Sequence, residues 1–191
     1  MAGKQAKLLS NPMVARALIH IDRRLDSSRD RTIFLLSLRA GLRAAEIAGL
    51  RWSMVVTSSG KLGSAIAVED HIAKAGSGRV VPMHRELRQA LRRLGPSEPD
   101  DPIIVSAKTG AAMTPGSIVN WFRQLYAELG AVGCSSHSGR RTFVTMAARR
   151  ANQVGASLRD VQLLAGHRSI EVTQRYIDSD TAAQRRLVSS L

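Results

Sequence analysis

The chain has 191 residues, with 28 Lys+Arg against 15 Asp+Glu, one Cys and a formal net charge of +13. Hydrophobic residues at 44% and charged residues at 23% are ordinary globular usage, so a disordered tail is not expected and the sign of the charge predicts a polyanionic partner. The lone Cys134 excludes an internal disulfide framework and a multi-thiolate metal site, and no apolar run reaches the roughly 18 residues of a membrane span, so a reducing, cytoplasmic location is expected.

Residues 12–26, PMVARALIHIDRRLD, place Val14, Leu18, Ile21 and Leu25 at steps of three and four between arginines, which predicts an amphipathic helix. Residues 28–40 carry Ile33, Phe34, Leu35, Leu36 and Leu38, a band too apolar for a surface helix, and this element is expected at the centre. Gly41 ends it, and RAAEIAGL at 43–50 restarts a short helix with Ile47 and Leu50 turned inward. From 52 to 82, short β-branched runs alternate with Gly/Ser turns (MVVT, SSGKLG, SAIAVED, HIAKAGSG, RVVPM), which predicts a small antiparallel sheet of three strands. Helical spacing returns in HRELRQALRRL at 84–94 and stops at GPSEPDDP. A short strand is expected at 103–105, and Thr114-Pro115 opens a helix through 129. Residues 137–191 read as three or four helices with breaks near Gly155, Gly166 and Asp180. The expected fold class is mainly α with a small three-stranded antiparallel sheet, in one domain without internal repeats.

Several polar residues could carry chemistry, each with a plainer alternative. Arg43 and Glu46 stand at i and i+3 in GLRAAEIAGLRW (41–52), a spacing that ordinarily marks a solvated ion pair. His137 and Arg140, in SHSGRRTFVT, share the first turn of a helix, where backbone N–H groups favour an anion. Arg can bind two phosphate oxygens at once and His can pass a proton near neutrality. His167 and Tyr176 lie nine residues apart in VQLLAGHRSIEVTQRY, with Gly166 closing one helix and Ser169 able to cap the next; a lone Tyr there is ordinarily core. Lys74 sits beside a Gly/Ser turn, where lysines are ordinarily solubilising.

In this order, on this helix, sheet, helix layout, these residues resemble the catalytic domain of the tyrosine recombinases, the phage integrase family. GLRAAEIAGLRW is similar to the family's G-L-R-x-x-E-[IL]-x-x-L-x-W. AKAGSGRVVPM is similar to G-K-[GN]-x-K-x-R-x-V-P-L, which maps the functional lysine onto Lys74. The H-x-x-R box matches at His137 and Arg140, and L-G-H-x-x-[IV]-x-x-T-x-x-Y matches at Gly166, His167, Ile170, Thr173 and Tyr176. Departures are Gly139 for a usual Leu, Arg141 where His is common, Ala165 for the second Leu of L-L-G-H, and a slightly longer stretch at ANQVGAS.

The resemblance implies phosphodiester cleavage without metal or other cofactor; Glu46 is the one carboxylate at a specified position of these boxes, too few for a two-metal site. Tyr176 would attack and form a 3′-phosphotyrosyl link, Arg43 and Arg140 would clamp the non-bridging oxygens, and His167 would add a third hydrogen bond. His137 would take the Tyr176 proton, Lys74 would protonate the leaving 5′-oxygen, and Glu46 would buttress Arg43. The implied partner is double-stranded DNA, with four protomers on two synapsed sites and accessory DNA-bending proteins compatible with the scheme. Aromatics at 4% are too few for a single-strand stacking platform, which also favours a duplex. The catalytic domain is expected over 28–180, after an N-terminal segment and first helix at 1–27, with 181–191 as a C-terminal helix lent to a neighbour. About 27 residues precede the first matched helix, so no separate core-binding domain is expected: the chain is either an excised catalytic domain or a short recombinase similar to those that invert fimbrial promoters. A DNA-binding regulator that keeps the fold is the alternative function; a DNA-compacting protein leaves the boxes unexplained, and a type IB topoisomerase shares the chemistry.

Overall fold

The computed structural model describes residues 5–176 together with 185, 188 and 189. The order is α1 (Asn11–Asp22), α2 (Ser27–Ala40), α3 (Ala44–Gly49), β1 (Ala65–Val68), β2 (Arg79–Pro82), α4 (Arg85–Leu94), α5 (Pro115–Glu128), α6 (Ser138–Arg150), α7 (Leu158–Ala165) and α8 (Ile170–Gln174). None of the described helices is long and apolar enough to cross a membrane.

Ile33, Phe34, Leu35 and Leu36 of α2 are all fully buried. Four consecutive residues point in all directions round a helix, so their burial requires neighbours on every side; α1, α4 and α6 pack against α2, and α3 packs against α5. Leu9, Ala17 and Ile21 join the same core, which ties the N-terminal segment to the rest. A smaller cluster of Val144, Ala151, Val161 and Ala165 lies under α6 and α7, and Tyr176 packs on it. Two N-caps follow the chemistry of their side chains: Thr114 Oγ1 accepts from Ser117 N at 3.1 Å ahead of α5, and Ser157 with Asp160 forms a capping box on α7.

The sheet has two strands, not three: β1 and β2 pair antiparallel with Ala65 opposite Pro82 and Val68 opposite Arg79. The MVVT run is the expected strand that does not form. Trp52–Met54 is a 3₁₀ turn, and Trp52, Met54 and Val55 are all buried, a spacing that a strand with alternating faces cannot satisfy. Val56 then makes a single bridge to Leu62 across a tight turn. The expected strand at 103–105 is likewise reduced to bridges, Arg51 to Pro102 and Val105 to Ala112, because Ile103 and Ile104 are both buried side by side. α1 ends at Asp22, which takes Leu25 off its apolar face and leaves it fully exposed. The break expected near Asp180 lies outside the described residues, as does the helix expected over 181–191 except at 185, 188 and 189.

Candidate active site

Arg43 is the N-cap of α3, and Glu46 accepts hydrogen bonds from its backbone N at 2.8 Å and its Nη1 at 2.7 Å. This is no solvated pair, because Glu46 is fully buried. Burying a carboxylate is costly unless it is paired on every side, and the second partner is Arg79 of β2. Arg79 Nη1 and Nη2 donate to the two Glu46 oxygens at 2.9 and 3.0 Å, while its Nε donates to the Leu164 carbonyl at 2.8 Å. One carboxylate therefore joins α3, the hairpin and the end of α7.

Arg140 enters from the first turn of α6 and is 5% exposed. Its Nη1 donates to the Gly41 carbonyl at 2.6 Å and its Nη2 to the Ala165 carbonyl at 2.7 Å. A guanidinium carries five N–H groups, so three remain for a ligand. The close approach of α6 to α2 that brings Arg140 here depends on Gly139: a Cβ at that position would stand 2.5 Å from Ser37 Oγ. That spacing explains why the usual Leu is absent. Gly41, at φ +66, turns the chain after α2 so that its carbonyl faces Arg140.

Gly166, at φ +60, ends α7 and sends His167 back toward the centre. His167 N donates to the Gln162 carbonyl at 3.1 Å, and Gln162 Nε2 donates to the His167 carbonyl at 2.9 Å. The His167 Nδ1 lies 2.9 Å from Oγ1 of the buried Thr173, which leaves Nε2 for a ligand. The His167 and Tyr176 rings stack, with centroids 5.6 Å apart and planes 20° from parallel. Tyr176 also opens on a cavity of about 280 Å³ shared with His137, Arg140, Arg141 and the N-terminal residues Gln5 and Ala6. That N-terminal strap is pinned by Lys7 N to the Gly133 carbonyl at 2.9 Å and Leu9 N to Thr142 Oγ1 at 2.8 Å, and Arg141 donates to the Ala6 carbonyl. The other tyrosine, Tyr126, is 3% exposed, with its hydroxyl buried in the core.

Three guanidinium groups face one carboxylate here, an excess of two positive charges. Burial, then the charge of Arg43, lowers Arg140 to about 10, so it stays charged at neutral pH. Burial, then Arg140, Arg43 and Arg79, pushes His167 down to about 4 and leaves it neutral. Burial alone would raise Glu46, but the hydrogen bonds and charge of Arg79, then those of Arg43, hold it below the ordinary 4.5. Such a cluster suits a dianionic or anionic tetrahedral group presented beside a phenol. Among the described residues, no three His, Cys, Asp or Glu side chains converge where they could hold a metal ion.

Of the residues read from the sequence, Arg43, Glu46, Arg140, His167 and Tyr176 come together in this cluster. His137 stands on the cavity wall as the exposed N-cap of α6, one position ahead of the helical turn expected for it. Lys74 is not in the cluster: it is exposed on the turn between β1 and β2. Arg79 and Thr173 also join the cluster, and each stands at a specified position of its box, whereas no local pattern marks Gln162 or the strap.

The family described as "Phage integrase family" matches residues 10–183. A tyrosine recombinase XerC of Rhodospirillum centenum is 33% identical over 158 residues, covering 80% of this chain and 43% of the relative. A tyrosine recombinase XerD of Pseudomonas aeruginosa is 31% identical over 159 residues, covering 78% of this chain and 49% of the relative. The chain thus spans about half the length of the curated relatives it matches. Among solved structures, XerA recombinase superposes on all of this chain and 65% of its own with a TM-score of 0.71 at 24% identity. The XerH recombinase bound to difH substrate, in a pre-cleavage complex, covers 99% of this chain and 55% of its own with a TM-score of 0.69 at 19% identity. At these identities the two structures show a shared fold.

Proposed function

The chain belongs to the phage integrase family, and from that membership we propose that it is a tyrosine recombinase that cleaves and rejoins duplex DNA at a specific site. The observation that carries this reading is the stack of Tyr176 on a neutral His167, at a cavity that Tyr176 shares with Arg140 and His137. The Tyr176 oxygen attacks the scissile phosphorus, a Tyr O–P bond forms and the P–O5′ bond breaks, leaving a 3′-phosphotyrosine. His137 accepts the phenol proton and Lys74 gives one to the departing 5′-oxygen, so charge and protons balance.

Arg43 and Arg140 neutralise the non-bridging oxygens as charge builds on them, and His167, held through Nδ1 by Thr173, donates from Nε2. Glu46 keeps Arg43 in place, and Arg79 offsets the Glu46 charge so that the positive charge of Arg43 and Arg140 is left for the phosphate. The free 5′-hydroxyl of a second duplex reverses the step on the same phosphotyrosine, so no external energy source is needed. The excess of basic residues holds the flanking backbone, and the difH complex of XerH supports a duplex as the polyanion. Two duplexes would bring four copies of the chain together, in the cytoplasm where the DNA lies.

A regulator that binds DNA without cleaving it has no use for Tyr176, His137 and Lys74 on a cavity and turn beside the arginines. To test the reading, the protein is incubated with a pool of nicked suicide duplexes of randomised sequence and covalent complexes are recovered on a denaturing gel. Wild type is expected to yield an adduct that enriches one site and Tyr176→Phe none; no adduct, or an equal one from Tyr176→Phe, overturns the assignment.

A further inference from the structure

The turn that carries Lys74 has a backbone its own residues do not favour. Ala75 is at φ +61, the one non-glycine at positive φ among the described residues, in a region where a Cβ meets the following carbonyl. Left to itself, this alanine returns to negative φ, and that rotation swings Lys74 relative to the rest of the hairpin. Within the hairpin Asp70 Oδ1 accepts from Gly78 N at 2.8 Å, and from outside it one side chain reaches the strained residue itself. Arg168 Nη2 donates to the Ala75 carbonyl at 2.8 Å, from a residue adjacent to His167. Inside the turn, Ser77 Oγ donates to the Lys74 carbonyl at 3.0 Å.

The base of the hairpin is docked independently on the same corner. Arg79 Nε donates to the Leu164 carbonyl, and a Cβ on Gly166 would lie 3.2 Å from the Ser77 carbonyl. Losing Arg168 therefore unties the tip of the turn from the His167 corner while the base of the hairpin and the Glu46 pair stay in place. Adjacent residues of one corner serve two sides of the reaction: His167 faces Tyr176, and Arg168 holds the turn of Lys74.

We infer that Arg168 is a positioning residue for the proton donor: its bond to the Ala75 carbonyl holds the turn so that Lys74 meets the leaving 5′-oxygen. The inference rests on the reading of Lys74 as that donor. Arg168 then affects the breaking of P–O5′ and leaves the attack by Tyr176 and the grip on the phosphate unchanged.

The test uses the duplex recovered by covalent capture, made in two forms that differ only in whether oxygen or sulfur bridges phosphorus to the 5′-carbon. A thiolate leaves without being protonated, so a defect in proton donation disappears with sulfur. On the oxygen duplex, Arg168→Ala is expected to form adduct about tenfold or more slowly than wild type, and Lys74→Ala more slowly still. On the sulfur duplex both should return to within about twofold of wild type, a recovery that a misfolded protein would not give. If Lys74→Ala is restored by sulfur and Arg168→Ala is equally slow on both duplexes, or is not slow on oxygen, Arg168 has no such role and Lys74 keeps its own. If Lys74→Ala is not restored, the donor reading fails and the inference falls with it.

Discussion

Arg79 places both terminal nitrogens on the two oxygens of Glu46, at 2.9 and 3.0 Å, across 33 residues of sequence. The carboxylate is wholly buried and the arginine nearly so, and Arg43 completes the group from the other side. Arg43, the first arginine of the proposed site, is thus held through Glu46 by a strand that folds over it.

Removing Arg79 leaves that carboxylate half paired in a dry site. Arg79→Ala is expected to cost about 3–5 kcal/mol, the usual penalty for stripping one partner from a buried ion pair. Urea unfolding measures it, and a loss below about 1 kcal/mol would show that Arg79 does not hold Glu46.

Arg140→Lys keeps the charge and loses the planar fork that reaches the Gly41 and Ala165 carbonyls at once. Adduct formation should fall about 10²–10³-fold, the scale of removing one preorganised donor, while DNA binding in a mobility-shift assay changes little. A lysine variant as fast as wild type would mean the fork is not used.

His167 binds its proton only near pH 4 when folded, whereas an unfolded imidazole titrates near 6.5. Between those values the unfolded chain holds the extra proton, so the contribution to stability is complete above 6.5 and is lost as pH falls toward 4. Unfolding followed from about pH 7.5 to 5 should show wild type losing more stability than His167→Gln. An imidazole NMR titration with a midpoint above about 6 would contradict a neutral donor.

Gly139→Ala tests the helix crossing that delivers Arg140. Its new Cβ would meet Ser37 Oγ at 2.5 Å and Ser37 Cβ at 3.0 Å, so a loss of about 1–3 kcal/mol is expected on thermal unfolding. Ser37→Gly in the same chain should recover part of it, since the Ser37 hydroxyl is buried without a partner and removing it breaks no hydrogen bond. An unchanged stability for Gly139→Ala would mean that the crossing has room to spare.

The helices are legible in the sequence because helical spacing is local, and the boxes name each side chain of the proposed site in chain order. Arg43 to Glu46 and His137 to Arg140 are each one turn apart, so their proximity follows from the chain itself. Arg79 with Glu46, or Arg168 with Ala75, depends on how the hairpin docks on the α7 corner, and no local spacing encodes that. The third strand is missing for a related reason: MVVT has the composition of a strand, but burying Met54 and Val55 together selects a turn. The departure at Gly139 was visible in the sequence, while its cause, the crossing against Ser37, was not.

Tyr176 is the proposed nucleophile, and the direct measurement is the site of the covalent bond. The captured protein–DNA adduct is digested with nuclease and protease and the nucleotide-bearing peptide is sequenced by mass spectrometry. A 3′-phosphate ester on Tyr176 is predicted; the nucleotide on any other residue, or linked through a 5′-phosphate, would contradict it.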